Sequence, residues 1–214
     1  MPDLSPVPGT DLSGLVRACL QAPARCGGTR VVALDGRSGS GKSVLARALA
    51  DRLAAAVPVT VQIVGLDDVY PGWDGLLGAV PVLRRWLLEP LATGHPAGHY
   101  RYDWARGTYG AWRPVAPGGV LLVEGVGSGA AALAPYRGLL IWVRAPDGVR
   151  RARAIGRDGA VLAQRWQRWA DQEERYLDRD DPRGHADLII DTTVIDTAGN
   201  PGDPGRTGRV PSTR

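Results

Sequence analysis

The sequence predicts a three-layer α/β/α sandwich, built on a mostly parallel sheet of about five strands with a helical lid. Three observations predict it. Short unbroken apolar runs recur along the chain, as in strands covered on both faces. Longer segments with helical spacing lie between those runs, which is how parallel strands are joined. A glycine-rich turn, Gly36 to Ser43, connects the first run to the first long helical segment.

Taken in order, the chain begins with a proline-rich stretch, "MPDLSPVPGT", expected to be a flexible segment over residues 1–10. Leu12, Leu15, Val16, Cys19 and Leu20 then fall at helical spacing and predict a short amphipathic helix. The apolar runs are Val31–Leu34, Val59–Leu66, Val120–Val123, Leu139–Val143 and Leu188–Ile190. Helical patterns cover Ser43–Ala56, about Leu76–Thr93, and about Asp147–Asp178. The region Gly98–Gly118, rich in aromatics, arginine and glycine, breaks this rhythm and is expected to be an inserted, substrate-side excursion. The ending "TAGNPGDPGRTGRVPSTR" has almost no large apolar side chain to offset its ordering entropy, so residues 196–214 are expected to be a disordered tail. Residues 11–195 then form a single domain, with the insertion at about 98–118 and the lid at about 147–160.

Composition excludes several classes. The 214 residues are 44% hydrophobic, enough for a substantial core. Basic and acidic residues number 26 and 22, interleaved and without a long basic block, so nucleic acid is not an indicated partner. Small phosphorylated ligands suit such arginines better. Cys19 and Cys26 form no C-x-x-C pair and are read as reduced thiols. The N-terminus has no signal-peptide pattern, and no apolar run approaches the ~18 residues of a membrane span. A cytoplasmic, soluble protein without a membrane partner is expected. Seven tryptophans without any phenylalanine, beside the arginine excess, are read as compositional bias.

Among the 26 basic residues one lysine stands alone, Lys42, and it occupies a demanding place. Gly36 to Ser43 fits G-x-x-x-x-G-K-[ST], the P-loop or Walker A pattern, between a predicted strand and a predicted helix. Glycines let the backbone wrap its N–H groups around phosphate oxygens, and the helix N-terminus adds partial positive charge. Gly36, Ser38, Gly39, Ser40, Gly41, Lys42, Ser43 and Val44 are the candidate ATP-phosphate contacts. Lys42 would reach the β- and γ-phosphates as a compact point charge, where a guanidinium is wider and planar. Ser43 would offer its hydroxyl to Mg²⁺. An N-K-x-D guanine element is impossible with the one lysine already used, and no L-S-G-G-Q signature occurs.

Two further strand ends carry acids. The run ending "LLVEG" places Glu124 at the carboxyl edge of the sheet, where ligands gather in open α/β folds. The run ending "VGLDDVYPGWDG" places Asp67 and Asp68 at the same edge, able to accept a hydroxyl proton or hold a metal. Its Asp, Pro and Gly also suit a plain turn.

The ordered set "DGRSGSGKS", "LDDVYPGWDG", "YRYDW", "LLVEG" and "RRARAIGRD" resembles the uridine kinase-like branch of the P-loop nucleoside and nucleotide kinases, over about Thr29 to Thr193. The resemblance implies a Mg·ATP-dependent kinase that phosphorylates a hydroxyl of a small molecule, a nucleoside such as uridine or cytidine. It implies Asp67, three residues before Tyr70, as general base, and Glu124 with Ser43 and Asp67 at the magnesium site. Asp68 is the fallback for either role. Arginines of the family's lid match Arg150, Arg153 and Arg157, spaced to share one helix face, with Arg157 the best match. Lys42, Asp67, Arg153 and Arg157 are thus the catalytic candidates. Asp68, Tyr70, Tyr102 and Asp103 are the acceptor candidates, with Trp104 where the family has phenylalanine; these aromatics equally suit packing within the insertion. Gly107 stands where the family has a pyrimidine-contacting histidine. Arg101, Arg106 and Arg113 leave open a non-nucleoside alcohol or sugar phosphate, of pantothenate- or ribulose-phosphate-like kind. A non-catalytic ATP-binding regulator is the third reading, and a homo-oligomer is compatible with all of them. His95 and His99 are four apart, but Pro96 and Gly98 argue against a zinc-presenting helix. Leu162, Trp166, Trp169 and Tyr176 are read as the buried face of the long helix.

Overall fold

Strand β1, Arg30–Asp35, is central because its side chains are apolar on both faces: Val31 points into one half of the core, Val32 and Leu34 into the other. Around it β2 (Val61–Gly65), β5 (Val120–Glu124), β6 (Leu139–Arg144) and β7 (Leu188–Asp191) form one parallel sheet, in the order β2-β5-β1-β6-β7. The computed structural model describes residues 12–193; the expected flexible segment 1–10 and disordered tail 196–214 lie outside them.

One face of the sheet is covered by α1 (Leu12–Gln21) and α2 (Lys42–Ala56), which bury Leu15, Cys19, Leu45, Leu49 and Leu53. The other face is covered by α3 (Leu76–Leu83), by α4 (Glu89–Ala92) and by α5 (Asp147–Asp180), which contributes Trp169 and Tyr176. Between α3 and α4 the chain stays helical but widens into a π-turn over Arg84–Leu88, three residues after Pro81 leaves the helix one donor short. The three-layer α/β/α architecture predicted from the apolar runs is the one observed.

Three details differ from expectation. Strand β2 stops at Gly65, and Leu66–Asp68 form a single 3₁₀ turn that lifts both aspartates past the sheet edge. The excursion at 98–118 is itself ordered, as an antiparallel pair β3 (Ala97–Asp103) and β4 (Thr108–Val115) that forms its own two-stranded sheet. The long helix α5 is interrupted at Gly159, whose backbone (φ 68°, ψ −154°) lies far from helical values. Among the described residues no helix is long and apolar enough to cross a membrane.

Candidate active site at the carboxyl edge of the sheet

The phosphate loop runs from the end of β1 to the start of α2. Asp35, fully buried at the strand end, accepts hydrogen bonds from the amides of Gly36 (2.6 Å), Gly129 (2.7 Å) and Gly127 (3.3 Å), and from the Tyr176 hydroxyl (2.5 Å). Burial pushes its carboxyl up, and these donors pull it back. Ser38 is held on both sides by α5. Its amide donates to Glu173 Oε1 (2.8 Å), its carbonyl accepts from Arg150 (3.0 Å), and its hydroxyl accepts from the Trp169 indole (2.9 Å). Ser40 offers its carbonyl to the Thr192 hydroxyl at 2.6 Å.

The amides of Gly36 and Ser38 are therefore already taken by carboxylates. Those of Gly39, Gly41, Lys42, Ser43 and Val44 meet no acceptor among the described residues. Five backbone donors at a helix N-terminus thus stay open beside the Lys42 ammonium, the arrangement that binds phosphate oxygens. Lys42 is only 7% exposed, and its Nζ donates to the carbonyls of Gly36 (2.7 Å) and Arg37 (3.0 Å). Burial lowers its pKa, opposed by the carboxylates of Glu124, Glu173, Asp35 and Asp67.

Glu124 closes the site from β5. The parallel register sets it between Leu34 on one side and Gly65 on the other. Its Oε1 accepts the Ser43 hydroxyl at 2.9 Å. Burial pushes the Glu124 carboxyl up and Asp67 pushes the same way; Lys42, Ser43 and Arg157 pull it back. A serine hydroxyl against a carboxylate, with a second carboxylate adjoining, is an all-oxygen donor set that fits Mg²⁺. No cluster of three or more His, Cys, Asp or Glu that could hold a metal ion occurs among the described residues.

The remaining predicted residues separate. Asp67, Asp68, Ser43 and Glu124 line one cleft. Asp68 is paired with Arg101 at 3.3 Å. Arg157 has its guanidinium on Asp158 and lies within electrostatic reach of Asp67 and Glu124, so all three acids hold it charged. Arg153, by contrast, directs its guanidinium to Thr192, at 3.2 Å from the hydroxyl and 3.0 Å from the carbonyl. Arg150 is buried and serves the loop carbonyl of Ser38.

Two acceptor candidates are engaged by the protein itself. Tyr70 is 1% exposed, donates to the Val126 carbonyl (2.8 Å) and packs edge-on against Trp169, so it is a core residue with no face for a ligand. Asp103 is a turn residue, its carboxylate accepting the amides of Ala105 and Arg106 at 3.0 Å each. Tyr102 and Trp104 pack edge-to-face on each other at 5.3 Å, and the Trp104 indole donates to the Asp67 carbonyl at 2.9 Å. The hairpin tip therefore braces the turn that carries the candidate base. Gly107 adopts φ 69° to close the hairpin, a backbone that disfavours histidine there.

Sequence reasoning missed Glu173 and Asp35. Glu173 had a signal: it is an acid inside the otherwise apolar stripe of Leu162, Trp169 and Tyr176. Asp35 had none beyond its position ahead of the loop.

No family model and no curated protein sequence matches the chain. Solved structures do. A possible uridine kinase from Bacillus stearothermophilus superposes with TM-score 0.63 at 21% identity, covering 84% of this chain and 97% of its own. The chain shares the fold of that protein. A putative fructose transport system kinase from Silicibacter sp. TM1040 shares the fold too, with TM-score 0.53 at 23% identity over 86% of this chain and 98% of that one.

Proposed function

We propose that this P-loop kinase fold carries a Mg·ATP-dependent phosphotransferase acting on a hydroxyl of a small molecule. The observation that carries the reading is the set of open amides of Gly39 and of Gly41 to Val44 beside Lys42, with the Ser43–Glu124 pair and with Asp67 in the same cleft as that pair. The amides and Lys42 hold the transferring phosphate and its neighbour. Ser43 and Glu124 would hold Mg²⁺, which when bound neutralises phosphate charge. Asp67 accepts the proton of the acceptor hydroxyl, and Arg157 balances the charge that develops as the phosphoryl group moves. Binding alone requires neither Asp67 nor Glu124, which speaks against a purely regulatory nucleotide binder.

For the acceptor, a ribonucleoside of the uridine or cytidine kind rests on Tyr102 and Trp104, rings that already stack on protein neighbours. A second reading, a non-nucleoside alcohol or sugar phosphate, is favoured by the cleft beside Asp67, which is lined by Arg47, Arg101 and Arg113 and by no tyrosine or tryptophan. The test is transfer from γ-labelled ATP to a panel of nucleosides, sugars, sugar phosphates and pantothenate, with wild type and Asp67→Asn. Transfer should fall at least about 10²-fold in the variant while ATP affinity is retained. Equal turnover by both proteins removes Asp67 as base, and tight ATP binding without transfer to any acceptor supports the regulatory reading.

A further inference from the structure

The cleft that begins at the catalytic carboxylates extends away from the phosphate loop, with a volume of about 550 Å³, the size of a small-molecule pocket. Its far walls come from three elements that sequence distance hides. Arg47 stands four residues after Ser43 on α2, so both share one helix face. His99 and Arg113 are direct register partners across β3 and β4, and Arg101 lies two residues beyond His99 on the hairpin.

These groups differ in how they are occupied. Arg101 is paired with Asp68 at 3.3 Å, whereas neither Arg47 nor Arg113 has an ion-pair partner among the described residues. His99 is only 5% exposed, and its Nδ1 is buried without a hydrogen-bond partner, although the backbone of Tyr100 faces the ring. A native fold seldom leaves a buried ring nitrogen unpaired. Burial lowers the His99 pKa, so the ring is neutral at neutral pH and offers a hydrogen bond rather than a third full charge.

We infer that this wall is an anion subsite for the acceptor, in which Arg47, Arg113 and His99 take a phosphomonoester group while the acceptor's hydroxyl lies at Asp67. The inference rests on the kinase reading and specifies its substrate class: an alcohol that already carries one phosphate. Two guanidiniums and a neutral imidazole match a dianion with several acceptor oxygens. A nucleobase would find no tyrosine or tryptophan ring to stack on here, because none lines the cleft. In the reaction the acceptor hydroxyl oxygen bonds to the γ-phosphorus as the bond to the β,γ-bridging oxygen breaks. The hydroxyl proton passes to Asp67, and ADP leaves with the bond's electrons. The anchored phosphomonoester is unchanged, so the product carries two phosphates.

The subsite is tested by calorimetric titration of the full-length protein, its phosphate loop first saturated with MgADP. The probes are ribose 5-phosphate, ribose and ribonate. Ribose 5-phosphate should bind at least about tenfold more tightly than the other two, and Arg47→Gln or Arg113→Gln should each weaken it roughly tenfold to a hundredfold, as loss of a charge-assisted hydrogen bond does. Both arginines are exposed on the surface, so the variants should keep the wild-type circular dichroism. Equal binding of ribose or ribonate, or unchanged affinity in both variants, overturns the subsite. Transfer of the γ-phosphate is scored separately. If uridine or ribose is phosphorylated while ribose 5-phosphate fails to bind, the kinase reading stands and the subsite falls. If ribose 5-phosphate binds but no acceptor in the panel is phosphorylated, the kinase reading fails and the anion subsite survives.

Discussion

Tyr176→Phe removes one oxygen and almost nothing else. The tyrosine is fully buried, and its hydroxyl donates to Asp35 Oδ2 at 2.5 Å, one of four donors to that carboxylate. A hydrogen bond to a charged, buried group contributes about 1.5–3 kcal/mol. For a domain of this size each kcal/mol moves Tm by about 2–4 °C, so the variant should melt about 3–12 °C lower at neutral pH. The effect should depend on pH in a definite direction. Burial holds the Asp35 pKa above its ordinary 3.8 in the folded protein. The full deficit is therefore present while Asp35 is ionised and shrinks as pH falls through the folded pKa, leaving about 0.5–1.5 kcal/mol for a neutral pair. Because Asp35 also holds the Gly36 amide, KM for ATP should rise with the loss of stability. Urea denaturation of both proteins at neutral and acid pH makes the measurement. A neutral-pH difference below about 0.5 kcal/mol, or one that ignores pH, refutes the idea that Tyr176 secures an ionised Asp35.

Three further outcomes are expected. Lys42→Arg keeps the charge but forces a planar guanidinium into a buried space that holds two carbonyls at 2.7 and 3.0 Å; kcat/KM should fall by about 10²-fold or more, and unimpaired turnover would refute the steric account. Glu124→Gln should abolish transfer yet raise the Tm of the metal-free protein. The Glu124 pKa is raised above 4.5 by burial and by Asp67, so ionising it opposes folding; the gain should be absent below about pH 4.5 and should grow as pH rises through the folded pKa, and a lower Tm at neutral pH would contradict this. Gly39→Ala should lower both ATP affinity and stability. Gly39 has φ 78°, and a Cβ there would lie 2.0 Å from the Arg150 carbonyl, adding displacement of α5 to a left-handed penalty of about 1–2 kcal/mol; isothermal titration with ATP and thermal melts together check it.

The sheet was readable because strands buried on both faces leave apolar runs that no exposed element resembles, and β1, β5 and β6 match their predicted runs within a residue or two. The phosphate loop was readable because its chemistry restricts residue type at nearly every position. The acceptor side was harder. Tyr70 follows the family spacing, yet its ring turns into the core, since spacing along a turn says nothing about which way a side chain points. Asp103 serves the turn at 103–107, a role that aspartate fills in many hairpins. Arg47, His99 and Arg113 line one cleft through a long-range placement that no local pattern encodes. The π-turn at 84–88, after Pro81, and the break at Gly159 fall inside segments whose apolar spacing reads as continuous helix.

The break in α5 has a kinetic consequence. Arg150, before Gly159, holds the carbonyl of Ser38, and Glu173, after it, holds the amide of the same residue. One helix thus fixes both peptide planes flanking Ser38 from opposite sides of its own interruption. A loop oriented before a phosphate ligand arrives needs no slow rearrangement during encounter, so association should not be limited by a conformational step. Selection among nucleotides would then reside in how quickly each one leaves.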